Sequence, residues 1–506
     1  MKRFFATVGF SFVFSLLLLN LILSEYAVYY ALAAACLFSL SLLIKPLRKR
    51  KEIPCILLSF LLSALSFIAV TELSYKPQIK ISGSDCEITA TVTDSPTLST
   101  SGNYSYPIIT KTVNGEEMKI RMRLYTPYDI CSEPYDEIEF SSRPFVLGDN
   151  NETTYRYFRA KRTYLGAYTK NEVLLFEPEK KPFVSFFFIQ KAKSEENIRK
   201  YLNGDFAEFA ISLLFGDKTY LSPEMKEGFS FSGLSHIMAV SGLHMSVWVM
   251  GLFLILRKLG FDKRVAGALC ILSSVCLVFF CAFSVSVIRA AVMMTVYFSA
   301  SFFARKGDSL NSLGFAAFVI CALNPFAVCD ISFLLSFFAT LGILVFSDLF
   351  PFFFKRNTIN KPLYKIGRYA VGTAAVSLSA GIFTVPIIIR YFSSLTVWGV
   401  LGNVAVAFAV SPCLLLAGAL SVCPDITFIA YPVKTLLMLT EKYIFFVVRK
   451  IGSLKIGAII SDSLCFRLIF PLFIISAVFV LYCIKKKKLS PTALLTALSM
   501  IIVTVS

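Results

Sequence analysis

The residues best suited to chemistry lie in one window, residues 233–245. The window contains both histidines of the chain, His236 and His244, together with Ser241 and Gly242. It opens an apolar segment, where a polar side chain costs free energy unless it faces protein or water. We predict that these four residues line a polar path through a membrane. The alternative is that the small residues let helices pack closely and that the histidines have internal partners.

The spacing of these residues argues against metal-dependent catalysis. Two histidines eight residues apart on a helix are separated by about 12 Å along its axis, so they would not share one metal ion. A zinc hydrolase site normally has three protein ligands, and the sequence has no phosphate-binding loop of the ATPase type. We therefore predict a protein that is not an enzyme and that has no metal and no cofactor. An intramembrane hydrolase that uses Asp217, His236 and His244 is an alternative.

Arg289 lies in the segment 279–303, which is otherwise nearly free of charge. An arginine at the centre of a membrane helix costs about 2.5–3.5 kcal/mol, so it should face a partner or an aqueous path. Phosphate is a natural partner for a guanidinium group. A salt bridge is the alternative, with Asp330 as the candidate acid.

The elements that must position these residues are membrane helices. The chain has 506 residues, of which 56% are hydrophobic, and a mean hydropathy of +0.70. Its apolar residues come in blocks of about 18 or more, the length of a membrane span. We predict three spans in residues 1–75, amphipathic interfacial helices in residues 183–232, and a polytopic helical domain in residues 233–506. One span of this last domain should centre near residue 475.

The net charge of +18 sits largely in short loops between the predicted spans. Such loops are cytoplasmic by the positive-inside rule. We therefore predict a multi-pass protein of the bacterial inner membrane, with its N-terminus in the cytoplasm and the polar segment after residue 76 outside. Residues 76–183 carry 14 Lys and Arg against 15 Asp and Glu, so the net charge is not by itself a sign of nucleic-acid binding.

Residues 76–182 are predicted to form a small extracellular β domain, inserted after the third span. Residues 118–124 alternate apolar and basic side chains, as a half-buried strand does, and Asn114-Gly115 ahead of them is a hairpin turn signal. About five short strands predict a small closed barrel of the OB-fold type, with a β sandwich as the alternative. Cys86 and Cys131 would pair as a disulfide if their Cα atoms lie close enough in an oxidising exterior.

Residues 155–164 interleave basic and aromatic side chains. Cations that contact the backbone, with rings that stack on bases, are how proteins grip single strands without sequence preference. A membrane-facing amphipathic helix would look similar. The candidates for DNA contact are Arg156, Arg159, Lys161, Arg162 and Tyr164.

Several segments, in this order and spacing, resemble the ComEC-type competence DNA-uptake channel family. They are Leu214–Glu224 (LFGDKTYLSPE), Phe231–His244 (FSGLSHIMAVSGLH), Ser286–Met293 (SVIRAAVM), Arg305–Leu313 (RKGDSLNSL), Asn324-Pro325 and Asp330–Gly342, with weaker matches at Thr384–Pro386 and Asn403. The likeness covers about residues 183–485, and the β domain sits where the family has an extracellular OB-fold. Ser332 and Leu334 depart from the family pattern, which usually has Gly and Gln there.

The resemblance implies a helical membrane channel that passes single-stranded DNA into the cytoplasm during natural transformation. The residues that would line its path are Asp217, His236, Ser241, Gly242, His244, Arg289 and Asp330. The implied partners are single-stranded DNA, a DNA receptor, a cytoplasmic ATPase or strand-binding protein, and the lipid bilayer.

Many members of this family also carry a C-terminal metallo-β-lactamase-like domain. No histidine follows His244 in this sequence, so we expect no such zinc site here, and a separate nuclease if one strand is degraded. The alternatives to a DNA channel are a transporter of a small solute, the hydrolase named above, and a degenerate relative without transport activity.

Overall fold

The computed structural model describes residues 3–44, 46, 50–98, 102–178, 181–302, 308–346, 361–392, 394–396, 398–422, 427–454, 458–460, 463, 472, 475 and 491–505. It is mostly helical and contains a sheet domain. Most of the predicted span near residue 475 lies outside the described residues. Within the described ranges, five helices are long and apolar enough to cross a membrane: Phe4–Leu21, Glu52–Ile79, Lys263–Phe280, Gly367–Phe392 and Gly399–Val422. This agrees with the prediction of a multi-pass membrane protein.

The helices are numbered in chain order. They are α1 (Phe4–Leu21), α2 (Ala27–Leu43), α3 (Glu52–Val70), α4 (Lys76–Ile79), α5 (Glu152–Ala160), α6 (Ser185–Tyr201), α7 (Asp205–Phe215), α8 (Pro223–Phe231), α9 (Gly242–Lys258), α10 (Lys263–Phe280), α11 (Val285–Phe302), α12 (Ser309–Leu323), α13 (Ile331–Phe346), α14 (Lys361–Phe392), α15 (Gly399–Val422), α16 (Thr427–Gly452) and α17 (Pro491–Val505). A π-helical turn, Thr71–Tyr75, joins α3 to α4, and a 3₁₀ turn, Pro325–Cys329, joins α12 to α13.

Helix α1 is largely buried and packs along α12. At one end of the pair, Arg3 and Asp308 form an ion pair, with 3.1 Å between Nε and Oδ2. Further along, the two backbones touch at Gly9 and Gly314, where a β-carbon on either glycine would collide with the backbone of the other helix. Small residues of this kind let membrane helices cross closely. The first helix of the chain is therefore held inside the bundle by a helix from its middle.

The strands of the sheet domain are also numbered in chain order. They are β1 (Cys86–Val92), β2 (Thr97–Leu98), β3 (Tyr104–Val113), β4 (Glu116–Glu117), β5 (Arg121–Thr126), β6 (Glu137–Ser142), β7 (Phe145–Val146), β8 (Leu165–Tyr168) and β9 (Leu174–Phe176). In the described part of the domain, these nine strands form one sheet in the order β7-β8-β5-β3-β1-β6-β9, and β2 and β4 pair with β3. Strands β5 and β8 are parallel, and the other pairs are antiparallel.

The predictions for the sheet that rest on residues close together in the chain are confirmed. Asn114 and Gly115, both with positive φ (51° and 81°), form the predicted turn between β3 and β4. Ile120, Met122 and Leu124 are buried, as the alternation predicted. The prediction of about five strands was too low, because two-residue strands carry no periodicity. The described pairings do not join β7 to β9, so the closed barrel of the OB-fold type stays a prediction.

The predicted disulfide is wrong, because Cys86 and Cys131 are both free and lie near opposite ends of β1. Cys86 begins the strand, and Val92 ends it about 20 Å away at 3.3 Å per residue. The Cys131 backbone N–H donates to Asp129, whose carboxylate accepts from the Tyr106 hydroxyl, on the part of β3 next to Val92. A disulfide needs Cα atoms within about 7 Å.

We expect the two cysteines to differ in reactivity. Cys131 is exposed and Cys86 is buried in the core of the sheet. A membrane-impermeant maleimide should therefore label a variant that retains Cys131 alone in this domain, and should label one that retains Cys86 alone only after denaturation. Equal labelling of the two variants, or a mobility shift on reduction that needs both cysteines, would contradict this arrangement.

Candidate functional site

The predicted window forms a turn followed by the first residues of α9. Ser241 is the N-cap of α9, and its Oγ accepts from the backbone N–H of Leu243 at 3.3 Å. In return, Nδ1 of His244 accepts from the backbone N–H of Ser241 at 2.9 Å. Capping of this kind satisfies N–H groups that the first turn of a helix leaves free. Ser241 and His244 are therefore held together by the start of α9 itself.

This arrangement fixes the tautomer of His244. Because Nδ1 accepts a hydrogen bond, the proton of the neutral ring must lie on Nε2. His244 is only 2% exposed, and Nε2 has no hydrogen-bond partner among the described residues. A buried donor without a partner is costly. The ring therefore offers an unused N–H group beside the positive end of the α9 dipole.

Arg289 projects from α11 to the same place. Its side chain donates to the Thr340 hydroxyl on α13. A β-carbon built on Gly242 would lie 3.4 Å from Nη2 of Arg289, so the guanidinium lies directly against the first residue of α9. Arg289 is 7% exposed, and its Nε has no hydrogen-bond partner in the described part of the chain. The site therefore has a buried cation against a helix N-terminus, and His244 lies in the first turn of that helix.

The salt bridge considered for Arg289 does not form. Asp330 is buried at the start of α13, where Oδ1 accepts from the backbone N–H of Ser332 at 2.8 Å. Thr340, the partner of Arg289, lies ten residues further along the same helix, about 15 Å away. The suggestion that Asp330 pairs with Arg289 was therefore wrong, and Asp330 lies apart from the cluster around Gly242.

Thr340 and Ser336 were missed by the sequence analysis. Ser336 contacts Ser286 of α11 through their hydroxyls at 3.0 Å, one turn from the contact between Arg289 and Thr340. Both residues lie on α13 at a spacing of four, in line with Ser332. A polar stripe at helical spacing within an apolar helix was the signal that could have identified them. Helices α11 and α13 thus meet along a row of polar side chains.

The remaining histidine, His236, lies in the turn before α9 and is exposed. Its hydrogen-bond partners are the backbone of Gly233 and the side chain of Asn403 on α15. Asn403 is one of the residues that carry the family resemblance. The turn between α8 and α9 therefore contacts α15 on one side and leads to the cation site on the other.

Asp217 interacts with a different group of charged side chains, although it lies near residues 233–245 in the fold. The preceding residue, Gly216, ends α7 in a left-handed conformation (φ 81°), and a β-carbon there would lie 3.3 Å from Cγ2 of Val240. The Asp217 carboxylate accepts from the backbone N–H and the hydroxyl of Thr219, at 2.9 and 2.6 Å. It also acts electrostatically on the α6 side chains Lys191 and Glu195.

Those α6 side chains join the sheet domain to the helices. Nζ of Lys191 lies 3.2 Å from Oδ1 of Asp94 in the sheet domain and 4.0 Å from Oε1 of Glu195. Burial lowers the pKa of Lys191, but these carboxylates raise it above its ordinary value. Burial also raises the pKa of Glu195 from 4.5 to about 7, although Lys191 and Arg199 lower it. The joint therefore contains one carboxyl group that changes charge near neutral pH.

We expect this joint to weaken as the pH rises. A carboxyl with a raised pKa in the folded state contributes stability below its unfolded pKa and loses that contribution through its folded pKa. For Glu195 the window runs from 4.5 to about 7. The melting temperature of the purified protein should fall across this window, and Glu195→Gln should flatten the fall. The exposed neighbour Glu196 provides the control, since Glu196→Gln should leave the slope unchanged. An unchanged slope in Glu195→Gln would contradict the assignment.

The predicted DNA-contact segment forms α5 and the turn after it, and that turn faces the helices. Tyr164 is 3% exposed and packs edge-on against Tyr75 and Phe326. Its ring is not available to stack on a base, so this part of the prediction was wrong. The guanidinium of Arg159 lies 4.1 Å from the ring centroid of Phe326 and 4.9 Å from that of Tyr75. These cation–π contacts hold the segment against the helices.

The other candidates of this segment differ in accessibility. Arg162 donates to the backbone carbonyl of Leu323, at the end of α12. Arg156 forms an ion pair of 2.5 Å with Glu152. Lys161 is exposed, and its Nζ lies 2.6 Å from the Tyr157 hydroxyl. Arg156 also hydrogen-bonds Tyr391 of α14, so Arg156, Arg159 and Arg162 all contact the bundle. DNA contact by Lys161 and Arg156 stays a prediction.

Within the ranges that the structure describes, no group of three or more His, Cys, Asp or Glu side chains is placed to hold a metal ion. The predictions on cofactors and enzymatic activity are not decided by this finding. The site around Gly242 has the composition of an anion site, because its unused groups are hydrogen-bond donors and a cation.

Comparison with known proteins gives a family match and two curated relatives. A family model described as "Competence protein" matches residues 213–488. The "ComE operon protein 3" of Bacillus subtilis (strain 168) is 26% identical over 186 residues, which cover 37% of this chain and 22% of that protein. An "Uncharacterized protein" of Aquifex aeolicus (strain VF5) is 30% identical over 218 residues, 40% of this chain and 50% of that protein. The match thus spans half or less of each relative, and no solved structure matches significantly.

Proposed function

Because this chain belongs to the competence protein family, we propose that it forms a membrane channel through which single-stranded DNA enters the cytoplasm during transformation. The observation that supports this proposal best is the buried cation site. Arg289 lies there against the first residue of α9, His244 lies in the first turn of the same helix, and the guanidinium and imidazole each keep an N–H group without a partner among the described residues. The ligand that satisfies all three is an anion.

A phosphodiester fits these donors better than other anions of the cell surface. A guanidinium group donates in a fork that matches two phosphate oxygens. Helix N-termini bind phosphate because their N–H groups and dipole favour negative charge. A polynucleotide would occupy such a site with one phosphate after another, so no single one needs to bind tightly. The large desolvation cost of Arg289 would then be offset each time a phosphate passes.

The proposal includes the sidedness and the partners expected from the sequence. The N-terminus would be cytoplasmic and the sheet domain outside, where a DNA receptor would deliver the strand. Lys161 and Arg156 are the residues of α5 and its turn that would meet DNA there. Inward movement would need a cytoplasmic ATPase or a strand-binding protein, and a separate nuclease would remove the other strand. In this view the protein is a channel without enzymatic activity.

Two measurements test this function. In the source organism, deletion of the gene should abolish transformation, and expression of the full chain in trans should restore it. In liposomes that enclose a single-strand-binding protein, the purified full chain should admit a labelled single-stranded oligonucleotide and exclude the corresponding duplex. Normal transformation after deletion would overturn the proposal, and would favour a transporter of small solutes or a relative without transport activity.

A further inference from the structure

A second buried charged group lies away from the cation site, on α16. Glu441 is 0% exposed, and neither of its carboxylate oxygens has a hydrogen-bond partner among the described residues. Helix α16 packs against α15 here, and the hydroxyl of the nearby Tyr443 donates to the backbone carbonyl of Ala405 on α15 at 3.0 Å. The carboxyl group is therefore enclosed between two helices, with no counter-ion among the residues that the structure describes.

Such a carboxyl group must be neutral in this arrangement. An isolated ionised carboxylate in an apolar interior costs far more free energy than a neutral one, so the group takes up a proton instead. Cys413 of α15 is the titratable side chain that faces it, and it is buried as well. Other charged side chains lie on the helices packed near α16. On α7, Asp205 accepts from Ser222, and Glu208 accepts from Arg199. On α8, Glu224 and Glu227 are exposed, and Lys226 donates to the backbone carbonyl of Thr219.

The neighbouring face of α16 has the opposite character. It borders a cavity of about 680 Å³, and Lys442, Arg449 and Lys450 contribute positive charge to its lining. In the part of the chain that the structure describes, these three cations form no ion pair. Asp205 also lines the cavity, but its carboxylate already accepts from the N–H and hydroxyl of Ser222, at 2.9 and 2.8 Å. The cavity therefore has an excess of unpaired positive charge.

Glu441 and Lys442 are consecutive, so their side chains leave α16 about 100° apart. A rotation of α16 by this amount, or separation of α15 from α16, would move the carboxyl group from the dry interface into the basic cavity. Water and three cations would then favour the ionised form. Glu441 would thus be protonated at the dry interface and ionised in the adjacent basic cavity.

We propose that Glu441 is a proton-binding site, which holds a proton between α15 and α16 and releases it into the basic cavity when these helices move. Release breaks the O–H bond of the carboxyl group and transfers the proton to water, and uptake of a proton from water reverses the step. Coupling of this step to DNA passage rests on the function proposed above.

Protonation is tested without DNA. In infrared spectra of the purified full chain in nanodiscs, the wild type should show more protonated-carboxyl absorption at neutral pH than Glu441→Gln, in which Glu195 still contributes. The control is Glu227→Gln, since Glu227 is exposed on α8 and its loss should leave this absorption unchanged. Glu441→Asp should retain this absorption. Identical spectra for the wild type and Glu441→Gln would overturn the proposal, whatever the protein transports.

Coupling is tested by transformation of cells that express each variant at equal membrane levels. Glutamine cannot ionise, so Glu441→Gln should depopulate the ionised state, one of the two states that transport would need. We expect transformation to fall about 100-fold as a result. Glu441→Gln should therefore fail, Glu441→Asp should recover part of the activity, and Glu227→Gln should behave as wild type. Full activity of Glu441→Gln would overturn the coupling. If deletion of the whole gene has no effect, the proposed function fails while the spectra still decide the proton site.

Discussion

Replacement of Arg289 by alanine should abolish DNA uptake while the protein stays at normal levels in the membrane. The guanidinium is 7% exposed, lies against Gly242 and keeps an unused Nε–H group. Arg289 has few partners, so its removal leaves no opposite charge unpaired, and the variant should still fold. Transport should therefore be affected more than stability. Loss of a charge-assisted phosphate contact of about 1.5–3 kcal/mol should reduce entry at least about tenfold, and more if successive phosphates use the site.

Two further variants make this result specific. Arg289→Lys keeps the charge but not the fork of donors, so it should retain only part of the uptake. Arg264 is an exposed arginine at the start of α10, and Arg264→Ala should leave uptake unchanged. The readout is the amount of labelled DNA that becomes resistant to external nuclease, normalised to membrane protein. Wild-type uptake by Arg289→Ala would remove the cation site from the path.

Gly314→Val should greatly reduce the stability of the bundle. A β-carbon on Gly314 would collide with the backbone of Phe5 and Ala6 on α1, and backbone cannot move aside as a side chain can. Overpacking of a core costs about 1–3 kcal/mol where side chains can adjust, so we expect about 3 kcal/mol or more here. The melting temperature in detergent should fall, and less protein should accumulate in the membrane.

The matched control for this change is Gly251→Ala in α9. No atom lies within 4 Å of a β-carbon at Gly251, and alanine favours a helix over glycine by about 1 kcal/mol. This variant should melt at or above the wild-type temperature. A Gly314→Val protein as stable as the wild type would mean that α1 and α12 do not cross at this point.

The features that the sequence predicted well depend on neighbours in the chain. Ile120, Met122 and Leu124 are buried, as the alternation of residues 118–124 predicted, and Asn114-Gly115 marks a real turn. The family follows from short motifs whose residues are close together, and the family match confirms it. In each case the physical cause acts within a few residues, through side-chain alternation, turn geometry or helix capping.

The features that the sequence missed depend on contacts between distant segments. Tyr164 has the composition of a DNA-contact residue, and only the approach of Tyr75 and Phe326 shows that it is buried. Arg289 was identified as costly, but its partner Thr340 could not be distinguished from Asp330 without the register of α11 against α13. The register between two helices is set by packing among residues that are far apart in the chain, so no single position in the sequence reveals it.

The pairing of α1 with α12 has a consequence for synthesis. The contact between Arg3 and Asp308 joins residues 305 positions apart. At about 5–20 residues per second, the ribosome would reach α12 about 15–60 s after it has made α1. During that time the face of α1 that contains Gly9 would lie in the bilayer without α12 packed against it. An insertase or another helix would have to shield it, and faulty assembly should therefore begin at the first span.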